Sequence, residues 1–264
     1  MLFRSTAGRT SAPAPASVRA KAVSAPTIES RSQALTQARL LQQQAPTLEH
    51  ERRLAEAYAK AGIADAAYDH FEAALRLDPH DVPSLDGLAR IWRDWGVADR
   101  ALPFAYRAVF WAPDSAPAQN TLGTVLLALG LHDAARSRFE RARQLDPAGA
   151  YAVNNLCDVA LRQGRANEAV PLCAEAAALD GASHVVRNNL ALALAAAGDL
   201  DAAVSAFERG ASPAVAAYNQ GIVLLASRQY DRAREAFTRA RVADPSFLPA
   251  LARLTRMAAD AAAR

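Results

Sequence analysis

Ala67, Ala101, Ala135, Ala169 and Ala203 stand 34 residues apart, and Ala233 follows after an interval of 30. No other feature of the chain narrows its fold as much. A repeat of this length is one supersecondary unit that cannot bury its apolar side alone, so copies must stack and share a core. The residues from Ala116 to Pro147 show what the unit is. They carry two apolar patterns of helical period, joined at Gly130 and Asp133, and so predict a helical hairpin. The invariant size of the recurring alanine has a packing reason. Two helices cross closely only where side chains are small, and a larger residue there would overpack at about 1–3 kcal/mol. Scarce glycine and abundant alanine also favour helix.

The landmarks of this unit are Leu122-Gly123, Leu126, Ala135, Phe139, Ala142 and Pro147. Their order and spacing resemble the tetratricopeptide (TPR) repeat, W-x2-L-G-x2-Y, then A-x3-F, then P. Gln119 replaces the first aromatic and Leu126 the tyrosine. Five further copies keep the phase, so six repeats are expected at about 48–81, 82–115, 116–149, 150–183, 184–213 and 214–246. The second has Ala105 where Phe is usual. The fourth has Cys157, Cys173 and Gly181 at the Gly, Phe and Pro places. The fifth is four residues short before Ser212-Pro213, which predicts a second helix about one turn shorter and a local change of curvature. The resemblance implies an all-α, right-handed α-solenoid of TPR helical hairpins with capping helices. Tyr58, Phe71, Trp92, Phe139, Phe207 and Phe237 are expected to fill the gaps between neighbouring hairpins.

The turns inside the hairpins are regular as well. Gly62, Gly96, Gly130, Gly164 and Gly198 fall where the first helix needs a positive-φ stop, and only Arg228 breaks the run. Asp65, Asp99, Asp133, Asn167, Asp201 and Asp231 are expected to be N-caps of the second helices. Pro103 and Pro171 are then expected in the first turn or so, where a missing N–H costs little.

The ends differ from the array. Residues 1–26 hold Arg4, Arg9, Arg19 and Lys21 and no acid, leaving the remainder at −1 of the net +3. They are poor in large apolar side chains and are expected to be a disordered basic leader, serving as a spacer or a tethering arm. Residues 27–47 are expected to form an N-terminal capping helix, with Ile28, Ala34, Leu35, Ala38 and Leu41 on its apolar face and Pro46 ending it. Residues 247–264 are expected to form a C-terminal capping helix, with Leu251, Leu254 and Met257 on one face. The near-neutral array argues against nucleic acid as a partner. No stretch reads as a transmembrane helix. The first thirty residues lack a secretory apolar core, so the compartment stays open between cytoplasmic and periplasmic.

The chain carries no zinc spacing, no phosphate-binding loop and no nucleophile elbow, so no catalytic residue, metal, cofactor or small-molecule substrate is expected. Cys157 and Cys173 are expected to be buried thiols acting as small hydrophobes; the alternative is a disulfide locking one hairpin.

In TPR arrays the first helices line the concave groove, so the resemblance places the candidate site there. Asn155, Asn189 and Asn219 share one place in three successive repeats, and Asn120, Asn154 and Asn188 stand one residue ahead of it. An amide offers donor and acceptor together, so such a ladder pairs with the main chain of an extended peptide. The plainer reading is a locally hydrogen-bonded surface. Arg53, Arg90 and Arg93 form a candidate carboxylate-binding group, with salt-bridged surface charge as the plainer reading. Trp95 or Trp111, if exposed, would mark a docking patch; extra packing is the simpler expectation. The resemblance implies a non-catalytic scaffold that holds an extended peptide or partner helix in its groove, in the assembly of a larger bacterial complex of the pilus, secretion or envelope type. The alternative is a regulatory or substrate-presenting subunit of an enzyme complex such as a glycosyltransferase.

Overall fold

The computed structural model describes residues 36–40, 47–208 and 212–262. All regular structure among the described residues is helical. The chain divides into two compact units at Asp146 and Pro147. In the first, α1 (Leu48–Lys60) pairs with α2 (Ala64–Leu77), α3 (Val82–Asp94) with α4 (Ala98–Trp111), and α5 (Ala116–Ala128) with α6 (His132–Leu145). In the second, α7 (Ala150–Arg162) pairs with α8 (Ala166–Leu179), α9 (His184–Ala196) with α10 (Leu200–Glu208), and α11 (Pro213–Ala226) with α12 (Tyr230–Ala243). Helix α13 (Leu248–Ala262) packs on α12. Each unit is therefore a stack of three helical hairpins, all-α as expected, and the second adds α13. Helix α10 has nine residues where α8 and α12 have fourteen, in line with the four-residue deletion; residues 209–211, which follow it, lie outside the described residues.

Close helix crossing explains the repeating alanines. Ala67, Ala101, Ala135, Ala169, Ala203 and Ala233 are all fully buried. Within a hairpin the crossing is close between residues sixteen apart. A Cβ added at Gly123 would lie 2.5 Å from the Phe139 ring, and one at Gly221 would lie 2.5 Å from the Phe237 ring. Phe71 bridges two hairpins, as expected of it. Phe71 of α2 sits against Gly87 of α3, in a core with Leu54, Tyr58, Leu88 and Ile91. Each such side chain contributes about 1.5–3 kcal/mol by leaving water.

The hairpin turns follow the expected stops. The five glycines take φ between 71° and 94°, and Arg228 is forced to φ 60° at the same place. Two expectations need correction. The second helices start two residues earlier than the acids suggested, at Ala64, Ala98, His132, Ala166, Leu200 and Tyr230. Asp65, Asp99, Asp133, Asn167, Asp201 and Asp231 are therefore second helical residues, not N-caps. The acids among them act on the helix dipole, worth about 0.3–1 kcal/mol. Only α10 has an acid side chain capping its start among these helices, with Asp199 Oδ1 accepting from Ala202 N at 3.1 Å. The earlier start also places Pro103 and Pro171 inside α4 and α8, each removing one interior hydrogen bond. The first helices are capped differently. Thr47, Asp81, Ser115 and Ser183 accept from the N–H three residues on.

The end-pieces are partly visible. Residues 36–40 are helical, and Ala38 is buried in the core of the first hairpin. Ile28, Ala34, Leu35, Leu41 and Pro46, and the leader 1–26, lie outside the described residues. In α13, Leu254 and Met257 pack on the α11–α12 core, and Leu251 is 41% exposed.

Cys157 and Cys173 are buried as expected, but they form a disulfide joining α7 to α8, with Cα atoms 5.3 Å apart. This corrects the expectation of two thiols. The pair stands sixteen residues apart, at the close crossing held by Gly123 and Phe139 in the third repeat. The short separation across that crossing is what lets two cysteines meet.

Candidate functional site

The first helices of the second unit carry the asparagines. Asn189 Nδ2 of α9 donates to Asn154 Oδ1 of α7 at 3.0 Å. Asn219 Nδ2 of α11 donates to Asn188 Oδ1 of α9 at 3.5 Å. Each rung joins the leading place of one repeat to the following place of the next. Asn154 is buried and Asn188, Asn189 and Asn219 are half-buried. Each rung uses the carbonyl oxygen of one amide and an N–H of the other. It leaves an N–H donor and a carbonyl acceptor side by side, complementary to the C=O and N–H of a peptide main chain. Asn155 is half-buried on α7, and Asn120 half-buried on α5 of the first unit.

The first unit repeats the rung with different chemistry. Thr121 of α5 hydrogen-bonds the Asp86 carboxylate of α3, and Asp86 occupies the same place as Asn120, Asn154 and Asn188. Burial pushes the Asp86 carboxyl above its usual range, against the Thr121 hydrogen bond and the charges of Arg90 and Arg93. Its Oδ1 is buried without a partner among the described residues. Asp86 and Thr121 were missed in the sequence because neither is an amide. Their place in the repeat was the available clue.

The arginines stand largely as surface charge. Arg53 Nε donates to Glu49 at 2.6 Å; desolvation opposes it, but the hydrogen bonds and charges of Arg53 and Arg52 hold the Glu49 carboxyl below its usual range. Arg90 lies 3.9 Å from Asp86. Arg93 bonds Asp94 at 2.7 Å and reaches Thr124 at 2.7 Å. The three are not gathered on one common acceptor; Arg90 and Arg93 share α3, beside Asp86.

The aromatics of the second repeat split between core and surface. Trp92 is buried and Trp95 half-buried against Trp92 and Tyr68. Trp111 is exposed and lies tilted against His80, with ring centroids 3.9 Å apart. Phe110 is 73% exposed beside it.

A cavity of about 400 Å³ opens beside the first rung of the second unit. Tyr151, Asn154, Leu179, Val185 and Val186 line it, with Ala148 at its loop edge. No group of three or more His, Cys, Asp or Glu suited to a metal occurs among the described residues. No described helix is long and apolar enough to cross a membrane.

Residues 120–184 match the family model described as tetratricopeptide repeat. That stretch carries the tetratricopeptide repeat. Solved structures with the same fold include the APC/C hetero-tetramer Cut9–Hcn1, at TM-score 0.73 and 19% identity over 87% of this chain and 47% of that one. This chain thus spans about half the length of that relative. The type IV pilus biogenesis factor PilW aligns at TM-score 0.69 and 21% identity, over 78% of this chain and 98% of its own. YrrB, a TPR protein with an unusual peptide-binding site, aligns at TM-score 0.51 and 24% identity over 69% and 96%. Identities this low establish the fold alone. Among curated proteins, none matches the chain in sequence.

Proposed function

We infer that this TPR chain is a non-catalytic protein-interaction scaffold. Its first helices hold an extended peptide or partner helix, in the assembly of a larger bacterial complex of the pilus, secretion or envelope type. The observation that carries the reading is the pair of amide rungs, Asn189 on Asn154 and Asn219 on Asn188. Side chains locked to one another keep their remaining donor and acceptor oriented, so a peptide main chain finds preformed partners and less ordering entropy is lost on binding. The same fold serves a type IV pilus biogenesis factor in PilW and carries a peptide-binding site in YrrB, so it is compatible with this reading.

The test is a pull-down with the array, identification of the captured protein by mass spectrometry, and a repeat with Asn155, Asn189 and Asn219 all replaced by alanine. Three half-buried amides removed, at about 0.5–1.5 kcal/mol per hydrogen bond, predict a loss of affinity of tenfold or more with helical content retained. A folded triple variant that binds its partner as tightly as the parent ends the reading.

A further inference from the structure

We propose that the cavity beside the Asn154–Asn189 rung is a pocket for one large apolar side chain of the bound extended chain, of the Leu, Ile, Met or Phe type. The proposal rests on the groove reading above and adds which residue of the partner is selected. Three observations carry it. The cavity shares a wall with the rung, since Asn154 both lines it and accepts from Asn189. A main chain lying on that rung therefore passes the cavity mouth. The walls are apolar apart from a few groups: Leu179, Val185, Val186 and the alanines face it, while Asp180 Oδ1 and Ser183 Oγ are occupied by the backbone N–H groups of Ser183 and Val186. Finally, Leu179 is 41% and Val185 50% exposed at its walls, so two large aliphatic groups meet water where a partner side chain would cover them. About 400 Å³ lies within the range of ligand clefts and has room for a side chain with its flanking main chain.

The internal copies show that hairpin packing does not demand this lining. Tyr151 and Val185 occupy the second residue of their helices, where α3 and α5 carry Pro83 and Pro117. Proline serves the helix start there as well as any apolar group does. The fourth and fifth repeats thus replace a start proline by a larger apolar side chain at a place that lines the cavity.

The probes are short Gly/Ser peptides with a single central Leu, Phe, Ser or Lys, titrated into the ¹⁵N-labelled full chain. The Leu and Phe peptides should shift the amide signals of Tyr151, Asn154, Val185 and Val186 and bind roughly tenfold tighter than the Ser and Lys peptides, the effect of burying one such side chain. Ala148→Trp, from an exposed loop position, should fill the cavity and abolish the preference; Val185→Asp should do the same by charge. An equal response to Leu and Ser, or no response at these residues to any peptide, overturns the pocket. The Asn189→Ala, Asn219→Ala double variant separates the two readings. If it weakens all peptides alike and keeps the Leu-over-Ser ratio, both stand. If affinity is unchanged and the ratio persists, the pocket stands and the amide groove fails.

Discussion

Replacing the Cys157–Cys173 disulfide by its counterpart from another repeat tests the packing rule most directly. The bond closes a loop of sixteen residues across the α7–α8 hairpin. In the chain-entropy treatment its loss destabilises by about 3 kcal/mol, or roughly 6–12 °C in a chain of this size. The first check is thiol titration of the protein unfolded without reductant, which should find no free thiol. The second is thermal unfolding with and without reductant, with hydrogen exchange followed on α7 and α8. Neighbour-coupled repeats open locally, so the loss should appear first in that hairpin.

The substitutions then read the geometry. The third and sixth repeats put Gly and Phe at this pair of places, and a Cβ at either glycine would overlap the ring at 2.5 Å. Cys157→Gly with Cys173→Phe should therefore pack like the hairpins α5–α6 and α11–α12, losing only the cross-link. Cys173→Phe alone leaves the Cys157 side chain against the new ring. Ala55 with Phe71 and Ala191 with Phe207 show that the hairpin accommodates a Cβ at this place. The conflict in the single variant then comes from Sγ, and overpacking of about 1–3 kcal/mol is expected. Two titratable thiols in the unreduced protein, or a single variant as stable as the double, would refute the argument.

Arg228→Gly relieves the one non-glycine at positive φ among the described residues, at 60°, and should stabilise the α11–α12 hairpin by about 0.5–1 kcal/mol in chemical denaturation. Asp86→Asn should stabilise the protein near neutrality. A carboxyl raised by burial contributes stability that is complete below the unfolded carboxylate range and is lost as pH rises through the raised folded value, so the advantage of the variant should vanish on acidification. Thermal midpoints on both sides of that range check the sign. Phe110→Glu should change stability by less than about 0.5 kcal/mol, because the same place carries Arg76, Gln144 and Ala178 in other repeats. A large loss by denaturant titration would show that Phe110 packs where its exposure says it does not.

What could be read in the sequence depended on whether a property belongs to the hairpin or to the offset between hairpins. The crossing alanines and the positive-φ stops are demands of one hairpin, repeated in every copy, so they stood out at a fixed interval. The caps of the second helices were misplaced by two residues because acids mark a helix start only to within its first turn; the backbone path after each glycine decides where the start falls. The disulfide had a clue that a residue-type argument passed over: its spacing equals that of Gly123 with Phe139, and that contact is close enough to bring two sulfurs together. The rungs depend on the offset. Asn154 with Asn189 spans 35 residues, one more than the repeat, whereas Asn188 with Asn219 spans 31. The difference is the four-residue deletion, which falls between those two asparagines, where α10 is short. Removing residues there leaves the rung intact, so the alignment of the first helices in this unit is set by their own packing and not by the length of chain that connects them. A face kept in register while its connection shortens is a face on which side-chain partners can be placed independently of the scaffold, and that independence is why the pairing of those partners does not show in the repeat pattern itself.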